Sequence, residues 1–260
     1  MKQQHLHDAQ VATSSLFAAP QPERSQSVAP IAPAPAAHAP ALTDPALRPT
    51  AERAAPLFSH FAEAAAPVNI ADPTGILSSV HPTGASALTA RQEGLRRGGV
   101  ASSQTISARD YQRVLESHDL RHKFEVAGEQ YHIPPALLAA IASRETHGGS
   151  VLARNGTGDH GHGFGVLQVD DRSHRPDRSE GAYGQAHINQ AAAIFDRGLD
   201  AVKRDFPDLS PEAQLQTAVS RYNGGGGRVH PNSDRGTTHG DYGNDTLARA
   251  QYFAGHWTKP

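Results

Sequence analysis

The chain of 260 residues contains no cysteine, a single methionine, a single tryptophan and few aromatic residues of any kind. Without cysteine there is neither a disulfide framework nor a thiolate metal site, so the fold must be held by its core in any redox compartment. No apolar run approaches the ~20 residues needed to cross a bilayer. The first ten residues, Met-Lys-Gln-Gln-His-Leu-His-Asp-Ala-Gln, lack the continuous apolar segment of a secretory signal, so work outside the cell would require a dedicated export route. A strong charge of either sign is missing too. The formal net charge of -2 argues against a chain organised around a polyanion, and nucleic acid is not an expected partner. Sixteen histidines would make the surface more positive in mildly acidic surroundings, which modulates this conclusion without reversing it.

What the chain does contain is unevenly distributed. From Val11 to about Pro82 it is rich in Ala, Pro and Ser, and frequent proline removes backbone donors and interrupts helices. This composition predicts an extended tether or delivery segment, assigned to residues 1–102. One island, 52–66, carries Leu57, Phe58 and Phe61 at helical spacing and reads as a transient helix. Residues 103–260 are expected to form the folded domain, and removal of everything before 103 is expected to leave it folded.

Periodic structure is predicted to begin near Ser107, read as a helix cap with Asp110 in the first turn. A second helix is predicted over 120–131. His132-Ile-Pro-Pro then restarts the pattern, because proline is tolerated in a first turn, and the next helix should begin at Pro134 or Pro135. Five glycines between Asn155 and Gly165 mark a loop, with a short strand or hairpin arm over 164–169. Further helices are predicted over 187–206, from the Ser210-Pro211 cap to Tyr222-Asn223, and over 242–255. The fold class is therefore mainly α, with a short Gly-rich hairpin.

The chemistry centres on Ile141-Ala-Ser-Arg-Glu-Thr-His-Gly-Gly. Here an apolar helical run ends within a turn of Glu145, and Gly148 and Gly149 supply residues that stop helices. A helix C-terminus and an apolar wall both disfavour a negative charge, so the pKa of Glu145 should rise. A glutamate protonated near neutral pH is what general acid cleavage of a glycoside requires. Such cleavage needs a second carboxyl group, either ~5–5.5 Å away as a nucleophile or ~6.5–9.5 Å away acting through water. Asp159 and Asp170 follow closely enough for a hairpin to bring either across a groove. Taken singly, each also fits a turn or cap role. His147, His160, His162 and His174 show no recognised metal-ligand spacing, and neither a metal nor a cofactor is expected.

Five blocks, in order, carry a family resemblance. They are Ser143-Arg-Glu-Thr-His-Gly-Gly; Gly163-Phe-Gly-Val-Leu-Gln-Val-Asp-Asp-Arg-Ser-His-Arg-Pro; His187-Ile-Asn-Gln; Ser220-Arg-Tyr-Asn-Gly-Gly; and Gly236-Thr-Thr-His-Gly-Asp-Tyr-Gly-Asn-Asp-Thr-Leu-Ala-Arg-Ala-Gln-Tyr-Phe. Over about 111–256 the chain closely resembles the goose-type lysozymes. The resemblance implies a lysozyme-like fold and cleavage of the β-1,4 bond between N-acetylmuramic acid and N-acetylglucosamine in peptidoglycan. It implies Glu145 as general acid, Asp159 and Asp170 as the carboxylates that position water, and Gln168, His174, Tyr222, Asn223 and Tyr242 as residues lining the sugar groove. One departure is Asp171, where goose-type enzymes usually carry a basic residue; beside Asp170 it could raise that residue's pKa if both face the site. The disulfides of many animal members are absent.

Three functions are consistent with these residues: a hydrolytic muramidase, a lytic transglycosylase of the same fold giving 1,6-anhydro ends, and a glycan-binding module without activity. The paired aspartates favour hydrolysis over transglycosylation, and a dry acid is of no use to a binder. The expected partner is the glycan strand of peptidoglycan. A secretion machine, of type VI as the first expectation, and an inhibitor or immunity protein follow as candidate partners. The expected place of action is the periplasm of a target cell.

Overall fold

The computed structural model describes residues 69–225 and 230–258. The segment expected to act as a tether lies largely outside them, as does the island over 52–66. Eight α-helices and one small sheet make up the described unit: α1 (Ile76–Ser79), α2 (Ala87–Gln92), α3 (Val100–Tyr111), α4 (Leu120–Tyr131), α5 (Pro135–Thr146), β1 (Thr157–Gly158), β2 (Gly163–Phe164), β3 (Val169–Asp170), α6 (Gln185–Asp205), α7 (Pro211–Gly224) and α8 (Tyr242–Gly255). A π-helical turn, Gln112–Glu116, extends α3.

The middle of the fold is α5. Every residue from Pro135 to Ser143 is buried, which is the signature of a helix apolar on all sides and covered on all sides. Its small Ala side chains let neighbours approach closely, and it packs most extensively on α8, with α4 on another flank. Pro135 opens it where the missing N–H costs nothing. His147, Gly148 and Gly149 close it, all at positive φ. Gly149 has a steric reason as well: a β-carbon there would lie 2.3 Å from the Tyr183 hydroxyl. The amphipathic α6 buries Ile188, Ala191, Ala192, Phe195 and Val202 and lies along α7 and α4. Ser210 caps α7 by accepting from the Ala213 amide, as its sequence predicts.

The sheet is a three-stranded antiparallel meander, β1-β2-β3, with Gly158 opposite Gly163 and Gly163 opposite Asp170. Strands this short gain little from their own ladder, and the sheet is held instead by packing. Phe164 meets the buried His187 of α6 edge to face at 5.5 Å.

Two expectations need revision. Ser107 does not start a helix. It is buried inside α3, its hydroxyl donating to the Ser103 carbonyl one turn back, and Asp110 belongs to the last turn rather than the first. Helix α3 starts at Val100, so the boundary expected between 102 and 103 falls within it. Ala71, Leu77 and Val80 share one buried cluster with Phe124, Leu137 and Phe253, which places residues well before 103 in the core. Polar ties add to this: Ser86 N donates to Asp241, Ser103 Oγ donates to Asp245, and Gln251 of α8 reaches the Leu77 and Val80 carbonyls.

Burying Leu77 and Val80 alone contributes about 1.5–3 kcal/mol each. A chain starting at residue 103 will therefore melt at least ~10 °C below one starting at residue 69, as followed by circular dichroism. Equal melting temperatures would show that the early helices are dispensable.

Candidate active site

Glu145 occupies the last turn of α5, half-buried, with the buried Arg144 beside it. Burial lifts its carboxyl from the ordinary 4.5 to about 7. The Tyr242 hydroxyl, donating to Oε1 at 2.5 Å, and the Arg144 charge hold it back, while the charge of Asp159 adds to the rise. Tyr242 is itself buried, which pushes its phenol well above its usual range, so it stays a donor throughout. Arg144 sits over the Tyr242 ring at 5.5 Å. Tyr222 donates to the Leu167 carbonyl at 2.7 Å, tying the end of α7 to the loop between β2 and β3. Burial and then the Glu145 charge raise its phenol too, which places it in the same electrostatic cluster.

The hairpin carries the other two carboxylates. Gln168 sits between its strands at φ 52°, with Nε2 donating to the Gly165 carbonyl at 2.8 Å. β-Carbons on Gly158 and Gly163 would come within 2.4 and 2.1 Å of its Oε1, so those glycines make room for the glutamine. Gln168 therefore braces the hairpin. Asp159, at φ 43°, and Asp170 both reach one guanidinium: Arg172 bonds Asp170 through Nε and Nη2, each at 2.9 Å, and Asp159 through Nη2 at 3.1 Å. Burial would raise the Asp170 carboxyl, but Arg172, by side chain and by backbone, holds it below its usual value. The Asp171 carboxylate contacts His162 at 3.0 Å and adds to the charge felt by Arg172. Arg172 was not singled out by sequence reasoning. Its signal was an arginine two residues after a candidate catalytic aspartate, in a turn.

The remaining groove candidates are placed less directly. Asn223 accepts from the Thr238 amide and pins the 238–240 turn to the end of α7. His174 lies on the exposed turn after β3, its amide donating to the Asp170 carbonyl. Burial and then the charge of Arg197 hold its ring below the ordinary value. The structure thus gathers Glu145, Tyr242 and Tyr222 around one acid and joins Asp159 to Asp170 through Arg172, while Gln168 and Asn223 act on neighbouring backbone.

Comparison with known proteins identifies the family. The family profile described as "Lysozyme g" matches residues 75–256. The chain belongs to the lysozyme g family. It is 40% identical over 185 residues to the lysozyme G of Dromaius novaehollandiae, covering 70% of this chain and 87% of that one. Identity to the lysozyme g of Gallus gallus is 43% over 185 residues, 70% of this chain and 84% of the relative. With the lysozyme g of Epinephelus coioides it is 36% over 189 residues, 69% and 95% of the two chains. As a member of the lysozyme g family the chain is a glycoside hydrolase. The matched span begins within the early helices, in line with their share of the core.

In this lysozyme g chain the acid stands on a buried lattice of charge that sequence reasoning missed. Arg144 bonds Asp241 at 2.9 Å and Asp245 at 2.5 Å; Arg249, 1% exposed, bonds Asp245 at 2.9 Å and the Ser143 hydroxyl at 2.9 Å. Ser143 and His147 both reach Asp110, at 2.7 and 3.0 Å, and His147 also meets Glu93 of the early segment at 3.2 Å. Hydrogen bonds to Asp110 and Glu93 lift His147 to about 9, so it is a cation at neutral pH. With Arg113, which bonds Asp110 at 2.7 Å, the lattice sets Arg113, Arg144, His147 and Arg249 against Glu93, Asp110, Asp241 and Asp245. Removing one partner of such a buried set leaves the other uncompensated, at about 3–5 kcal/mol.

The Tyr242 hydroxyl favours the charged form of Glu145. Tyr242→Phe should therefore raise the acid's pKa above about 7 and move the alkaline limb of the kcat profile to higher pH. A limb that stays in place or falls would show that the phenol does not tune the acid.

Proposed function

We propose that this chain is a muramidase that hydrolyses the β-1,4 bond between N-acetylmuramic acid and N-acetylglucosamine. The observation carrying this reading is a half-buried carboxyl with a pKa of about 7, on a helix end facing a hairpin that bears two aspartates. In the reaction, protonated Glu145 donates to the glycosidic oxygen as the bond to C1 lengthens. A water held by Asp159 and Asp170 adds to C1 and surrenders a proton, so water is split across the broken bond. Glu145 regains its proton from solvent. Tyr222 offers ring surface beside the acid, while the buried Tyr242 serves it through its hydroxyl. Gln168 and Asn223 shape the groove through the backbone they hold, and His174 stands on the exposed turn after β3. Paired aspartates favour water over the sugar's own hydroxyl as nucleophile, which supports hydrolysis rather than transglycosylation.

The finer setting rests on sequence. The Ala/Pro/Ser composition before the folded unit supports a delivery segment, and the reading we favour is a bacterial wall-degrading effector exported by a dedicated machine. Its site of action would be the periplasm of a target cell, and an immunity protein would protect the producer. Among the described residues no helix is long and apolar enough to cross a membrane. Fused to a signal peptide and sent to the periplasm of a bacterium without a protective partner, the chain should cause lysis. Tolerance of that expression, alongside an active control that lyses, would reject the effector role.

Mass spectrometry of digested peptidoglycan should find reducing ends and no 1,6-anhydro ends; anhydro ends would establish the transglycosylase instead. Glu145→Gln should reduce wall clearing at least ~100-fold, because an amide has no proton to give. The same variant has a stability signature. The folded pKa of Glu145 is raised from 4.5 to about 7, so the native state binds more protons between those values and stability falls as pH rises through that window. Glu145→Gln should therefore melt a few degrees above the parent at pH 8, with the gap closing towards pH 5. Retention of more than about a tenth of the rate would remove Glu145 from the chemistry.

A further inference from the structure

The turn after β3 sets one guanidinium between the two aspartates, and its bonds to them are unequal. Towards Asp170, Arg172 makes a fork, Nε to Oδ1 at 2.9 Å and Nη2 to Oδ2 at 2.9 Å, and its backbone amide adds a bond to Oδ1 at 2.9 Å. Towards Asp159 it makes one bond, 3.1 Å long, from the Nη2 already engaged with Asp170. Both oxygens of Asp170 are held from within its own turn. Asp159 is on the other side of the hairpin, its side chain 56% exposed, on a residue of left-handed φ. Its charge is also the one felt at Glu145.

We propose that Arg172 is a positioning residue that anchors Asp170 and restrains Asp159 by a single yielding bond, leaving Asp159 as the carboxylate that takes the proton from water. The inference rests on the hydrolytic reading and divides between the aspartates a task that reading leaves shared. A planar fork on a carboxylate is the strong form of the Arg–Asp contact, whereas a lone exposed bond from a shared nitrogen contributes little. A carboxylate gripped at both oxygens by a cation is a poor base, because the cation stabilises the anion. Asp159 keeps Oδ1 outside the grip, and the arriving sugar displaces the rest. The protons then balance: water passes one to Asp159 as its oxygen bonds to C1, Glu145 passes one to the departing oxygen, and solvent exchange restores both. Among the described residues, the other charged or titratable groups that act on the pair include His162, Asp171, His174 and Glu145.

The test uses the full chain with Arg172→Gln, Arg172→Lys, Asp159→Asn and Asp170→Asn, assayed for kcat and KM across pH on cell walls, with melting temperatures alongside. Arg172→Gln should lower kcat about tenfold with KM within about twofold, and should move the acid limb to higher pH because Asp170 loses the cation that holds its carboxyl down. Arg172→Lys should restore part of both, since it supplies charge without the fork. Asp159→Asn should cost more than Asp170→Asn, and adding Arg172→Gln to Asp159→Asn should change kcat little further. Parental kcat and acid limb in Arg172→Gln would overturn the proposal. So would a lost rate with an unmoved limb, which marks a merely structural arginine, or a full multiplicative loss in the double variant. A parent chain that releases no reducing ends from walls would overturn the hydrolytic reading itself.

Discussion

Everything at the site depends on the ion lattice between α5 and α8. Arg144 and Arg249 lie on different helices and are joined through Asp245, with Asp241, Ser143 and Asp110 completing the set. Buried charge is an expensive way to join helices unless every partner is present, because each ion has given up its water. Once complete, however, the lattice tolerates few alternatives. An apolar contact between α5 and α8 could slide by a fraction of a turn, whereas bidentate and branched charge contacts fix rotation as well as distance. The register that results is the one that sets the Tyr242 hydroxyl on Glu145.

The acid itself is a compromise in which burial outweighs the groups that oppose it. Burial pushes its proton on, while the phenol and Arg144 pull it off, and the balance falls close to neutrality. Complete burial without Tyr242 would hold the proton too tightly for efficient transfer, and a solvated glutamate would have lost it. His187 illustrates what burial does with less opposition: its ring is driven down to about 4 and stays neutral while accepting from the Leu167 amide. Burial thus favours the neutral form of both groups, raising the half-buried carboxyl and lowering the buried ring, and what faces each decides how far.

Much of this was legible in the sequence where the cause is local. The proline and serine opening α7, the Pro-Pro start of α5 and the bounds of α8 follow from caps, breakers and helical spacing within a few residues. Glu145 was legible for the same reason, since an apolar run ending at a glycine pair announces a dry helix end. What could not be read is what joins distant parts of the chain. Arg144 meets Asp245 across 101 residues, and Ser103 meets it across 142, so no window of sequence contains both ends. The early helices are short and sit beside an Ala/Pro-rich stretch whose composition masked them; their order comes from docking on α8 rather than from propensity. Ser107 misled because a serine bonded back to the preceding turn looks, in sequence, like a serine opening a new one.

The position of Tyr242 at the start of α8 has a consequence for when the enzyme becomes competent. The acid is placed by a helix near the middle of the chain, but its phenol partner and the lattice carboxylates Asp241 and Asp245 come about a hundred residues later. During synthesis, the segment bearing Glu145 leaves the ribosome long before the residues that tune it. A nascent chain up to α7 would hold Arg144 without its counter-ions and Glu145 without its donor, so it could not yet form the site. Docking of α8 therefore completes both the core and the acid's surroundings, and contacts of such wide sequence separation slow folding.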